Sequence, residues 1–281
     1  TGLSLKRSKS QGKNRVTTAE RPTPPALLRS RFEALEQLRE GRGLRAVCQP
    51  IVGLDDRSVV GFELLSRSDA PDFEMPRDFL GAAEGSAALA EIDLHCLRTC
   101  VDAASRLPGV RKHLNLLPST LLAQPTNVLL DVLLSRGAGQ DYCIELSEQQ
   151  MIGDPLALRR PVEALREAGV SIAIDDVGFG KSSLEALILL EPTVVKINRR
   201  FTRGAVEVPG SRQSLARLVN VLRALDVMPV AMGIEASDEL EAVDTLGVAA
   251  GQGYLLGLPG RLDAWARESA EHIGASSSTM N

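Results

Sequence analysis

Eight short apolar runs, parted by helical patterns, constrain the fold of this chain more than any other feature. The runs cover residues 46–52, 59–65, 113–117, 142–146, 170–175, 193–197, 227–232 and, more weakly, 251–256. Apolar residues recurring with a period near 3.6 fill the gaps at 26–39, 87–107, 125–134, 155–168, 211–225 and 237–246. Strand and helix in alternation call for a parallel sheet whose crossovers are the helices. Only residues 53–58 part the first two runs, too few for a crossover helix, so these two strands form a hairpin. The expected fold is therefore α/β, a modified TIM-type (β/α)8 barrel with one antiparallel strand. At 281 residues the chain has the length for a single barrel of roughly 250 residues.

Composition narrows the function classes. Hydrophobic residues at 44% and charged residues at 24% are the balance of a globular protein with a sizeable core, which excludes collagen-like, coiled-coil and wholly disordered chains. No stretch approaches the ~18 successive apolar residues of a spanning helix, and the first residues are polar and basic, so a cytoplasmic location without a membrane segment is expected. Six Lys and Arg stand against one acid in residues 1–21, which leaves 26 basic and 35 acidic residues, a balance of −9, on the other 260. A body this acidic does not displace counterions from duplex nucleic acid, and aromatics at 3% give few stacking platforms. Polymeric nucleic acid is not an expected partner, whereas a small phosphorylated ligand bridged by metal ions is compatible with the charge.

Residues 1–24 are rich in Lys, Arg, Ser and Thr and run into Arg21-Pro22-Thr23-Pro24-Pro25, the composition of a disordered basic linker. A barrel domain is expected over 25–270 and a flexible tail over 271–281. A chain that begins at Thr1 reads as a fragment of a longer protein with a sensor domain. Cys48, Cys96, Cys100 and Cys143 make neither a disulfide scaffold nor a zinc ribbon; Cys96 and Cys100 are i,i+4 neighbours on a helical pattern, but no second ligand pair lies nearby.

Ionisable and amide groups sit at the ends of the apolar runs: Glu63, Asn115, Glu145, Asp175, Asp176 and Lys196. In a parallel barrel the C-terminal strand ends converge on one face, where barrel enzymes carry their chemistry. Four carboxylates, an amide and a lysine suit hard divalent cations such as Mg²⁺ or Mn²⁺, which prefer oxygen ligands and can clamp a phosphodiester. Successive strand residues face opposite ways, so Asp175 and Asp176 serve one site only if the strand ends there, and Gly178 and Gly180 permit that turn. Ser147 followed by Gln150 has capping-box spacing, which offers Glu148 a plain role at a helix start. Lys196, within Val194-Val195-Lys196-Ile197, needs a carboxylate partner if it is buried. The triplet Gly180-Lys181-Ser182 is not a phosphate loop, because Asp175 stands where that motif requires glycine.

In order along the chain, seven motifs over about residues 44–262 resemble those of the EAL domain family, barrel phosphodiesterases that linearise cyclic di-GMP. Gln49-Pro50-Ile51-Val52 is similar to the family's opening strand, and Glu63-Leu64-Leu65-Ser66-Arg67 stands in the place of Glu-Ala-Leu-Leu-Arg. Asn115-Leu116-Leu117 resembles Asn-Leu-Ser, and Glu145-Leu146-Ser147-Glu148 resembles Glu-x-Thr-Glu. The stretch from Asp175-Asp176-Val177-Gly178 to Ser183 parallels Asp-Asp-Phe-Gly-Thr-Gly-Tyr-Ser-Ser, Lys196-Ile197-Asn198 parallels Lys-Ile-Asp, and Gln252-Gly253-Tyr254 the late Gln-Gly-Tyr. The resemblance implies metal ligation by Glu63, Asn115, Glu145 and Asp175, with Asp176 serving a second ion. It implies that Lys196 holds the attacking water or a phosphate oxygen, Arg67 a ligand phosphate, Gln49 and Gln252 the polar rim, and that Glu148 orders the loop from Asp175.

One departure outweighs the others. The family's Ala-Glu-Gly-Val-Glu is here Ala231-Met232-Gly233-Ile234-Glu235, so the glutamate commonly assigned as general base or metal partner is Met232. A thioether takes no proton from water, and loss of a general base forfeits about 10²–10⁴ in rate. Leu64, Phe179, Lys181 and Asn198 also replace the family's Ala, Thr, Tyr and Asp, altering the rim and a loop that in the family often lies at the dimer interface. Two readings stay open: a catalytically impaired homologue that acts as a cyclic di-GMP receptor or protein-interaction module, and an active phosphodiesterase that yields linear pGpG. A homodimer, a regulatory protein partner and a fused sensor domain are the further partners the resemblance implies.

Overall fold

The structure, a computed structural model, describes residues 24–107, 109–135, 141–151, 155–178 and 183–265. Both expected tails, apart from Pro24, and the exchanged positions Phe179 and Lys181 lie outside the described residues. The strands are β1 (Leu44–Gly53), β2 (Val59–Ser68), β3 (Arg111–Asn115), β4 (Tyr142–Ser147), β5 (Ser171–Val177), β6 (Val194–Ile197), β7 (Met228–Met232) and β8 (Ala250–Gln252). They close into a barrel in chain order. β1 runs antiparallel to both neighbours, β2 and β8, and every other pairing is parallel. The expected fold is the observed one.

The helices fall where the 3.6-residue pattern places them: α1 (Pro24–Arg39), α3 (Ala88–Ala104), α5 (Thr126–Leu134), α6 (Pro155–Glu167), α9 (Ser211–Ala224) and α10 (Ser237–Thr245). Four shorter helices escape the pattern: α2 (Pro76–Ala83), α4 (Pro118–Ala123), α7 (Ser183–Leu190) and α8 (Arg199–Glu207). Three of them have only six to eight residues, too few to show a periodicity, and α8, at nine, has few apolar residues to carry one. Other signals announce two of them, since α2 and α4 each open on a proline, the residue preorganised for a first helical turn. None of the helices among the described residues is long and apolar enough to cross a membrane.

The barrel interior is built in layers by the two-residue strand period. Its apolar layer is Ile51, Cys143, Ala173, Val194, Val230 and Ala250, one residue from each of six strands. Two positions nearer the C-terminal mouth on the same faces stand Glu145, Asp175, Lys196, Met232 and Gln252; on the reversed β1 the equivalent step leads back from Ile51 to Gln49. Alternate residues point outward into the main core between sheet and helices, with Phe62, Leu64, Leu114, Ile144, Ile172 and Val195 at its centre. A smaller core, made by Leu38, Phe73, Phe79, Ile92 and Cys96, seats α1 and α2 on α3. All four cysteines are free and buried.

Ring closure depends on the chain crossing tightly beyond β8. Ile234 N donates to Gln252 O at 3.1 Å, and a methyl group at Gly253 would overlap the backbone N and O of Ile234. Gly253→Ala is therefore expected to cost about 2–3 kcal/mol, because backbone rather than a flexible side chain must yield. Urea unfolding checks this; a loss under about 0.5 kcal/mol would contradict it.

Candidate functional site

Lys196 is the hub of the polar layer. Its side chain is fully buried, and Nζ donates to Glu63 Oε2 at 2.8 Å and to Glu145 Oε2 at 2.7 Å. Asn115 Nδ2 donates to Glu63 Oε1 at 2.8 Å, and Gln252 Nε2 donates to Glu63 Oε2 at 2.7 Å and to Gln49 Oε1 at 3.0 Å. Gln49 in turn donates to Gly257 O at 2.9 Å. Residues from β1, β2, β3, β4, β6 and β8 thus meet in one network. Gln49 and Gln252 are buried members of it, at 8% and 1% exposure, and not a rim; the step back along β1 and the inward face of β8 place them inside.

Two carboxylates share one ammonium, and their other partners decide how. Burial alone would raise the Glu63 carboxyl, but the Lys196 charge and the hydrogen bonds from Lys196, Asn115 and Gln252 hold it down at about 2. Burial pushes Glu145 up to about 8 despite Lys196, and the charge of Glu63 adds to the rise. Asp175, half-buried on β5, is pushed the same way by burial. Burial would lower Lys196, but Glu145, Glu63 and Asp175 raise it well above its ordinary value, so its ammonium is permanent.

The second partner of Glu145 is His113, whose Nδ1 lies 2.8 Å from Oε1. Burial, with the charge of Lys196, lowers His113 to about 3, so the ring is neutral, and the proton between the two groups lies on Nδ1 when Glu145 is ionised. Sequence reasoning missed this residue as part of the site. The signal was present: His113 precedes Asn115 by two on one strand and so shares its face.

Asp176 is held elsewhere. The pairing of β5 with β6 is irregular between Ile174 and Val177, and Asp176 has φ 63°, a left-handed conformation. β5 does not end at Asp175 as expected but continues to Val177, and the irregularity is what turns the second carboxylate aside. Asp176 Oδ1 accepts from Asn198 Nδ2 at 2.8 Å and Oδ2 from Gln149 Nε2 at 3.1 Å. Asp176 N donates to Asp175 Oδ1 at 2.8 Å. Glu148, buried at the mouth, accepts from Gly178 N at 3.1 Å, while Ser147 makes no side-chain cap bond, so the capping-box spacing is not used as one. β3 likewise stops at Asn115 instead of Leu117, because the chain must turn into α4 at Pro118.

Met232 is half-buried, pairs in register with Gln252 and packs on the apolar layer. Arg67 is buried and donates to Ser66 O at 2.8 Å. A cavity of about 680 Å³ opens from Glu63, Asn115 and Glu145 toward Leu80, Leu89 and Asp93 of α2 and α3.

As they stand, Glu63 and Glu145 close on the ammonium, and among the described residues no group of three or more His, Cys, Asp or Glu forms a finished metal cage. The donor chemistry nevertheless fits a hard cation. Three carboxylates, Glu63, Glu145 and Asp175, face one ammonium, so two negative charges remain when all are ionised, the charge of one divalent ion. Gln252 Oε1 is buried with no hydrogen-bond partner among the described residues, an acceptor still unsatisfied in that layer.

Asp93 is a separate buried carboxyl, with Oδ2 accepting from Leu117 N at 3.0 Å. Burial pushes it from 3.8 up to about 6. The folded chain binds this proton more tightly than the unfolded chain, so the resulting stability is full below about pH 4 and is lost as the pH rises through 6. Relative to Asp93→Asn, the natural protein is expected to lose about 2 kcal/mol between pH 4 and pH 7. Urea midpoints of both across that range give the difference; a constant difference would refute it.

A family model described as EAL domain matches residues 33–259. The chain is 29% identical over 271 residues to the uncharacterized protein y4lL of Sinorhizobium fredii, covering 92% of this chain and 32% of that one. It is 28% identical over 233 residues to the cyclic di-GMP phosphodiesterase PdeF of Escherichia coli, covering 80% and 31%. The solved manganese and cyclic di-GMP complex of Klebsiella pneumoniae BlrP1 superposes with a TM-score of 0.70 at 29% identity, covering 78% of this chain and 57% of that one. The chain spans about a third of the length of the curated relatives it matches.

Proposed function

The chain belongs to the EAL domain family, and on that footing we propose that its barrel binds cyclic di-GMP with Mg²⁺ or Mn²⁺ at the mouth and has lost most of the hydrolysis. Glu63, Asn115, Glu145 and Asp175 would hold the cation, with side-chain oxygens gathered from four strands. A bound cation supplies Lewis-acid polarisation of a phosphodiester. Lys196 brings a permanent positive charge to the same point, and Arg67, further along β2, would be the second cation for a phosphate. Gln49 and Gln252 orient Glu63, and Glu148 fixes the turn at Gly178.

The observation that carries the proposal is Met232. It occupies the β7 position in the polar layer, beside Gln252, where the resemblance puts a glutamate. Binding rests on groups that remain, whereas proton removal from water rests on the group that is gone. The active reading is favoured by the preserved set around Lys196, which supplies both electrostatic stabilisation and ligands. Calorimetry with cyclic di-GMP, with and without Mn²⁺, tests the receptor reading: saturable binding of one nucleotide per chain in the presence of Mn²⁺ is expected. Absence of heat and of retention in both conditions would sink it.

A further inference from the structure

From the geometry around Asp176 we infer that this protein's own donors hold one divalent cation and not two. The inference rests on reading the barrel mouth as a metal site and concerns its capacity. Asn198 is the deciding residue. Its Oδ1 is committed, because it accepts from Arg200 N at 2.9 Å as the N-cap of α8. The amide therefore has one orientation: turning it over would set its carbonyl oxygen against the Asp176 carboxylate and its N–H₂ against the N–H of Arg200. Nδ2 must face Asp176, and it donates there at 2.8 Å. Gln149 supplies a second N–H to the other oxygen. Both oxygens of Asp176 thus look at amide hydrogens, which carry partial positive charge where a cation would sit.

The charge count agrees. The surplus on Glu63, Glu145 and Asp175 over Lys196 is met by a single divalent ion, and a second would turn to Asp176, whose oxygens face the amides of Asn198 and Gln149, since Glu148 is engaged with Gly178 N. Met232 contributes no oxygen, and Asn198 contributes a cap and a donor instead of a negative charge. An aspartate at 198 could cap α8 equally well while placing a carboxylate beside Asp176, a pair that needs a cation between its members.

The test is the number of Mn²⁺ ions bound per chain, measured by calorimetry and by electron paramagnetic resonance of free Mn²⁺, without nucleotide so that ligand phosphates do not contribute. The natural protein is expected to bind one ion, and the N198D/M232E variant two. Two ions on the natural protein would overturn the inference and leave the metal site standing; none would overturn both, independently of whether cyclic di-GMP binds in the separate titration. Should N198D/M232E fail to fold, Asp176→Asn decides. Its single Mn²⁺ is expected to bind within about twofold of the natural affinity, and a loss of tenfold or more would make Asp176 a ligand and overturn the reading of its two amide donors on which the inference rests.

Discussion

Replacing Lys196 with methionine is expected to remove about 3–5 kcal/mol of folding stability in metal-free buffer at pH 7. The ammonium is buried between Glu63 and Glu145, and deleting one member of a buried ion cluster strands the others without a counter-charge. The loss should shrink as the pH falls toward 5. Without Lys196 the Glu63 carboxyl no longer stays near 2, so in the variant both glutamates bind protons more tightly folded than unfolded, and acid stabilises the folded form. Added Mn²⁺ should restore part of the stability of the variant at pH 7, since a cation in the same place answers the same charge. Urea unfolding at two pH values, with and without Mn²⁺, reads all three effects. A loss below about 1 kcal/mol, or one that grows in acid, would mean the carboxylates do not depend on this ammonium.

Restoring the acidic residues at 232 and 198 together should raise hydrolysis of cyclic di-GMP by at least about 10²-fold, the lower end of what a general base contributes. Met232→Glu returns a proton acceptor to the end of β7. Asn198→Asp removes the amide donor from Asp176 Oδ1 and adds negative charge beside it. Either change alone is expected to gain far less, because each leaves half of the Asp176 side of the site unbuilt. Chromatography for linear pGpG under saturating Mn²⁺ measures the four proteins side by side. A double variant that binds nucleotide yet stays within threefold of the natural rate would place the defect outside positions 198 and 232.

The barrel was legible because its two signals are local: apolar runs of five to seven residues bounded by turns, and helices whose apolar residues show their period. The hairpin of β1 and β2 followed from a connection too short to cross over. The short helices were not legible, since six residues such as Pro118–Ala123 carry no periodicity and are held by tertiary burial, of Thr120 and Leu121 in that helix. Within the site, the acids were visible as polar interruptions at the ends of apolar strands. Their wiring was not. That Glu63 takes three N–H donors while Glu145 faces a neutral histidine depends on which side chains from distant strands arrive at the same height, and nothing in the linear order of Glu63, His113, Glu145 and Gln252 states that height. Asp176 shows the limit most clearly. Its neighbour Asp175 has the same chemistry, and only the irregular register with β6 and a positive φ send the two carboxylates to different partners.

Binding without turnover is tested most directly by a single-turnover measurement. Cyclic di-GMP is mixed with an excess of the protein and Mn²⁺, the mixture is filtered to find how much nucleotide is retained, and the retained nucleotide is chromatographed over several hours. Most of the nucleotide is expected to stay with the protein and to elute intact. Complete conversion to pGpG within minutes, or nucleotide that passes the filter untouched, would contradict it.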